Sequence, residues 1–279
     1  GVILFDETIQ QGAGDGTPFP EVLLQQGVVA GIKVDAGVED LPLFPGEKIT
    51  AGLDGLRDRL AAYRDLGARF TKFRSVIIIG EGLPTWFCIE ANALVLARFA
   101  ALSQEAGLVP IVEPEVLMDG DHSIERCFEV TENTLRIVFD KLIAHRVRLE
   151  HMILKPNMVL PGKSAPKQAS VEEVAAATVE CFRRAVPAAV PGIAFLSGGQ
   201  DAVLATQHLN GINRIGKAPW VLTFSFSRAL EEPVLHAWKG MPENVAQAQN
   251  VLCHRARCNS AAQRGEYNRA MENESTVGR

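Results

Sequence analysis

Six charged side chains interrupt runs that are otherwise apolar, and their types suffice for chemistry at a carbonyl. Lys33 follows Val28-Val29-Ala30-Gly31-Ile32, Lys72 and Arg74 alternate along Phe70 to Val76, and Lys155 ends Ile153-Leu154. Glu113 and Glu115 flank Pro114 after Val109 to Val112, and a spacing of two in an extended segment puts both carboxylates on one face. Lysine and glutamate are almost never fully buried unless paired, so these residues are expected to form one mutually neutralising cluster. A structural ion-pair network would account for any one of them, but less well for all six together. A lysine held among other cations in an apolar pocket gives up its proton readily, and the neutral amine attacks carbonyls. Lys155 is the best candidate nucleophile. Lys72 or Lys33 would be its cationic neighbour, and Glu113 or Glu115 could move protons as a carbinolamine forms and collapses.

A second constellation is Leu196-Ser197-Gly198-Gly199-Gln200, with Phe224-Ser225-Phe226-Ser227-Arg228 further on. Glycines after a strand let backbone N–H groups approach an anion, and two hydroxyls and a guanidinium follow. Ser-Gly-Gly alone is more often a plain turn; in this position, with Arg228 near, it reads as a phosphate site. Gly12-Ala13-Gly14-Asp15-Gly16 lacks the spacing and following helix of a dinucleotide fingerprint, and no Walker motif occurs. The six histidines show no paired ligand spacing, so neither a metal nor a cofactor is expected. Cys253 and Cys258 read as ordinary helix residues.

The elements that must position these residues are seven short apolar runs: Val2–Phe5, Val29–Val34, part of Phe70–Ile79, Val109–Val112, Met152–Leu154, Ile193–Leu196 and Val221–Phe224. Bounded by glycine, proline or polar turns, such runs mark buried parallel strands. Helical patterns separate them, over Pro20–Gln26, Ala51–Leu66, Pro84–Ala106, Ser123–Arg146, Ser170–Ala185, Asp201–Leu209, and Arg228–Gln263 with a break. Ser123, Ser170 with Glu173, and Asp201 are expected N-caps, and Gly67 and Gly107 expected C′ residues. The alternation predicts an α/β fold, and its length and site placement favour a (β/α)8 TIM barrel over an open doubly wound sheet. With seven units counted, the barrel is expected to lack its first strand and N-terminal segment. Such a chain would expose two strand edges and tend to associate. Residues 1–265 form the barrel in this reading, and 266–279 a mobile polar C-terminal tail. Proline after both Glu113 and Lys155 marks the carboxyl ends of strands, the catalytic face of a barrel.

Composition excludes several partners. The 279 residues carry a net charge of −5, which supplies no attraction for nucleic acid or anionic lipid. Glu90, Arg98 and Glu105 interrupt the most apolar third, so no membrane span is expected. Five scattered cysteines do not form a disulfide framework and fit a reducing, cytoplasmic setting.

At these residues the sequence resembles the class I fructose-bisphosphate aldolases, from Val2 nearly to Tyr267. The resemblance rests on Gly31-Ile32-Lys33-Val34-Asp35, Gly52-Leu53-Asp54-Gly55-Leu56, Ile111-Val112-Glu113-Pro114-Glu115, Leu154-Lys155-Pro156-Asn157-Met158, Phe195-Leu196-Ser197-Gly198-Gly199-Gln200 and Leu222-Thr223-Phe224-Ser225. It implies a metal-independent lyase of glycolysis and gluconeogenesis, a homotetramer, that cleaves fructose 1,6-bisphosphate to two triose phosphates. It further implies that Lys155 is the Schiff-base lysine, Glu113 the general acid/base, and Lys72 and Glu115 its charge-tuning neighbours. Lys33 and Arg74 match substrate contacts on the side of one phosphate, and Ser197, Gly198, Gly199, Ser225 and Arg228 the ketose phosphate site. His151 and Ser227 stand where the family usually has glycine. The family's first-strand aspartate and terminal tyrosine have no counterpart in the sequence. That leaves one competing expectation, a non-catalytic aldolase-like chain that binds sugar phosphates or proteins. Another phosphate-binding barrel, such as an isomerase, would not call for a lysine nucleophile. The implied compartment is the cytoplasm, with a plastid as the alternative.

Overall fold

Short Val- and Ile-rich runs form strands here because their branched side chains pack well on a pleated surface, and amphipathic segments between them form the crossovers. The computed structural model describes residues 1–273. In chain order the elements are β1 (Val2–Leu4), α1 (Asp6–Ile9), α2 (Phe19–Gln25), β2 (Ala30–Lys33), β3 (Gly37–Asp40), β4 (Lys48–Ala51), α3 (Leu56–Asp65), β5 (Phe70–Ile77), α4 (Trp86–Glu105), β6 (Val109–Val116), α5 (Ile124–Ala144) and β7 (Ile153–Leu154). There follow α6 (Val171–Ala185), β8 (Gly192–Phe195), α7 (Ala202–Ile215), β9 (Val221–Phe224), α8 (Arg228–Trp238) and α9 (Val245–Gln263). The chain forms two compact units, one of residues 1–117, 130–155 and 185–191, the other of residues 118–129, 156–184 and from 192 onward.

In the first unit β1, β2, β5, β6 and β7 pair in that order, all parallel. Lys33 lies opposite Lys72, and Arg74 opposite Glu113. Helix α4 packs on β5 and β6, where Phe99 meets Phe73 at 5.2 Å between ring centroids. By length and composition α4 could cross a membrane, contrary to the expectation from its charges, but its Leu96, Ala97, Phe99 and Ala100 are buried as those of a core helix. In the second unit β8 pairs parallel with β9, and Phe182 of α6 stacks on Phe195.

The expected caps form. Arg126 N–H donates to Ser123 Oγ, Ser170 and Glu173 exchange bonds as a capping box, and Asp201 accepts from Val203 and Leu204. Beyond Gly67 and Gly107 the next N–H returns to the helix, Ala68 to Tyr63 O and Leu108 to Ser103 O.

Three boundaries differ from expectation by more than two residues. Strand β6 does not stop at the Glu113–Pro114 bond but runs to Val116. Val112 O accepts from Lys155 N–H, and β7 pairs β6 only at Ile111 and Val112. Pro114, of the same parity as Val112, therefore directs its missing N–H to a side with no ladder partner. Helix α3 starts at Leu56 rather than Ala51, because Lys48–Ala51 pairs antiparallel with Gly37–Asp40 in a polar hairpin that has no apolar run to announce it. Helix α7 does not end at Leu209 but continues through Asn210-Gly211 to Ile215. A Cβ on Gly211 would lie 3.0 Å from Val171 Cγ1, so the glycine serves close packing against α6.

Of the polar stretch 266–279, residues 266–273 are described and 274–279 lie outside the described residues. Tyr267 is buried, its N–H bonds Asn210 Oδ1, and its hydroxyl donates to Glu272 Oε1 at 2.7 Å. His254 and Cys258, one turn apart on α9, approach Glu272 so that one ligand-type atom from each lies within 4.8 Å of the others. The histidine spacing in the sequence did not single out this group. Arg255 Nη1 bonds Glu272 Oε2 and Tyr267 the other oxygen, so the carboxylate anchors the segment after α9.

Candidate active site

The bodies of β5 and β6 and the carboxyl ends of β2 and β7 bring the six sequence-selected charges of the first unit together. Lys155 Nζ lies 3.1 Å from Glu113 Oε1, and Lys72 Nζ lies 3.1 Å from Glu113 Oε2. Lys72, Glu113, Glu115 and Lys155 are all buried, so each of these pairs is drier and stronger than a surface pair. Arg74 Nε donates to Glu115 Oε2 at 2.5 Å. Burial works against the Arg74 charge, but Glu115, then Glu113 and Asp35, outweigh it and hold the guanidinium above its ordinary pKa. Lys33 is set apart, reaching Asp35 Oδ1 at 2.6 Å.

Asp35 is the residue that sequence reasoning missed as a member of the cluster. Its buried carboxylate bridges Lys33 and Lys72, at 3.4 Å from the latter, and accepts Arg74 N–H at 3.3 Å. Four cations, Lys33, Lys72, Arg74 and Lys155, thus face three carboxylates instead of two. The signal was present: Asp35 follows Lys33 by two, the spacing that aligned Glu113 with Glu115.

The second unit holds the other five. Ser197 is buried after β8, and Gly198 and Gly199 follow with φ +64° and +88°. Ser225 N–H donates to Phe195 O at 2.8 Å, which joins the end of β9 to that of β8. Ser227 has φ −99°, so the side chain that replaces the family's glycine is not strained, and its hydroxyl donates to Glu231 Oε2. Arg228 begins α8 and is exposed. The loop is braced from within: Gln200 Nε2 donates to Ser197 O at 2.9 Å, and Gln200 Oε1 lies 2.6 Å from His208 Nδ1. Burial pushes the His208 pKa down to about 4, so the ring is neutral and its Nδ1–H serves Gln200.

Over residues 1–278 the chain matches the family described as Fructose-bisphosphate aldolase class-I. The chain belongs to this family. It is 54% identical over 268 residues to a probable fructose-bisphosphate aldolase class 1 of Xanthomonas campestris pv. campestris, covering 96% of this chain and 80% of that protein. It is 52% identical to Arabidopsis thaliana fructose-bisphosphate aldolase 5, cytosolic, over 96% of this chain and 75% of that one. A structure of the Plasmodium falciparum fructose-bisphosphate aldolase superposes with a TM-score of 0.93 at 47% identity, over 95% of this chain and 77% of that one. The α/β fold is therefore that of the aldolase-type TIM barrel, not of an open doubly wound sheet. Relatives this similar bear the enzyme's name, so the chain is a class I aldolase, a carbon–carbon lyase of glycolysis, rather than a non-catalytic binder.

Proposed function

We propose that Lys155 is the amine through which this aldolase reversibly cleaves fructose 1,6-bisphosphate to dihydroxyacetone phosphate and glyceraldehyde 3-phosphate. The observation that carries the assignment is the Lys155–Glu113 pair at 3.1 Å, within reach of proton exchange in a buried site. Neutral Lys155 adds to the C2 carbonyl, and Glu113 as acid protonates the carbinolamine oxygen, which leaves as water. The resulting iminium accepts the electron pair of the breaking C3–C4 bond, while ionised Glu113 takes the proton of the C4 hydroxyl and the aldehyde departs. Protonation of the enamine at C3 and hydrolysis return the lysine and release the ketose phosphate.

Lys72 and Glu115 would tune the charge around Glu113, the first from its other oxygen and the second by holding Arg74. Lys33 and Arg74 would meet the phosphate on the aldehyde side, and Ser197, Gly198, Gly199, Ser225 and Arg228 the ketose phosphate. A homotetramer in the cytoplasm is the assembly and compartment in keeping with the family. The test is borohydride reduction after incubation with dihydroxyacetone phosphate, with the adduct mapped by peptide mass spectrometry. A reduced adduct on Lys155 is expected. An adduct on a different lysine, or none on a chain shown by circular dichroism to be folded, would overturn the assignment.

A further inference from the structure

A second cation faces the glycine loop after β8, one that neither the charge pattern nor the family resemblance singled out. A Cβ built on Gly199 would lie 3.0 Å from Lys163 Nζ and 3.1 Å from Arg228 Nη1. Gly198 and Gly199 both adopt the left-handed conformation that side chains disfavour, so the loop keeps bare backbone where the two cations converge. Among the described residues Arg228 forms no ion pair, whereas Lys163 pairs with Asp119 Oδ1 at 3.1 Å. Two cations against one carboxylate leave a net positive site over backbone that an anion can approach.

The main chain holds Lys163 in place. Gly162 N–H donates to His122 O, Lys163 N–H to Met118 O and Ser164 N–H to Gly120 O, all at 2.8–2.9 Å. A Cβ on Gly162 would come within 2.3 Å of Gly120 O, so only glycine lets the two segments lie this close. The Lys163 side chain remains free to exchange partners, since its pair with Asp119 is 41% and 68% exposed.

We propose that Lys163 is a phosphate-binding residue, sharing with Arg228 the phosphomonoester held at Ser197–Gly199 and leaving Asp119 to do so. The proposal rests on the reading of that loop as the ketose phosphate site. The closing experiment measures inorganic phosphate binding by calorimetry, and KM and kcat for fructose 1,6-bisphosphate, in wild type, Lys163→Gln, Lys163→Arg, Asp119→Asn and Arg228→Gln.

Lys163→Gln is expected to weaken phosphate binding and to raise KM by about fivefold, the loss of one partly exposed charge-assisted bond, with a smaller effect on kcat. Lys163→Arg should restore most of the loss, and Asp119→Asn should tighten phosphate. If Arg228→Gln weakens phosphate and Lys163→Gln leaves it within twofold of wild type, the proposal alone is overturned, and Lys163 is only a partner of Asp119. If neither variant changes phosphate binding, the loop is not the phosphate site and both readings fall.

Discussion

Replacing His208 with asparagine tests whether a buried neutral imidazole braces the glycine loop. His208 is 2% exposed, its Nδ1 meets Gln200 Oε1 at 2.6 Å, and its Nε2 is buried without a hydrogen-bond partner. Protonation would place a second N–H, and a charge, where nothing accepts them, which is why burial pushes the pKa from 6.5 to about 4. The folded pKa lies below the unfolded one, so below pH 6.5 the unfolded chain binds a proton that the folded chain refuses. Stability is therefore complete above pH 6.5 and lost as the pH falls towards 4. A shift of this size corresponds to about 3 kcal/mol between pH 7 and pH 4, about 2 of it by pH 5. Asparagine Nδ2 can occupy the place of Nδ1 and still donate to Gln200, but does not titrate. In urea titrations at pH 7, 6 and 5, wild type should lose about 2 kcal/mol more than His208→Asn. At pH 7 the variant's KM should stay near that of wild type, because Gln200 still holds Ser197 O. Equal slopes for the two proteins would refute the argument from burial, and a large rise in KM would refute the substitution as a mimic.

Two further outcomes follow from the charge cluster. Glu113→Gln keeps the shape but cannot cycle a proton, so kcat should fall about 10²- to 10⁴-fold, and a stopped assay showing less than a tenfold loss would remove Glu113 from the proton path. Asp35→Asn leaves Lys33 and Lys72 beside a neutral amide in a largely buried site. Denaturant unfolding should then show a loss of about 2 kcal/mol, together with a lower kcat/KM. Stability within about 0.5 kcal/mol of wild type would show that Glu113 alone holds Lys72 in place.

How much was legible in the sequence varies by element. All three expected N-caps and both C′ glycines form, because each depends on neighbours at most a few positions away, and Val221–Phe224 is legible because its apolar run marks it for burial although its partner β8 lies far along the chain. The polar hairpin Gly37–Asp40/Lys48–Ala51 was not visible, since it is held by pairing across a gap and its residues carry no apolar period. The length of α7 beyond Leu209 was not visible, since a glycine by itself weakens a helix and only the surface of α6 shows the close packing that Gly211 serves.

The sequence by itself determined the alternation of strands and helices, and it marked Lys33, Lys72, Arg74, Glu113, Glu115 and Lys155 as charges out of place. Burial makes such residues conspicuous, because a charge in an apolar run must be compensated somewhere. Which partner compensates it was decided by the tertiary structure. The register of β5 against β6 and the turn after β2 joined Arg74 to Glu115, both Lys72 and Lys155 to Glu113, and Asp35 between Lys33 and Lys72. The approach of Lys163 to Gly199 likewise depends on main-chain bonds between segments some forty residues apart. Ion pairing is set by distances of a few ångströms in space, and separation along the chain carries no record of them.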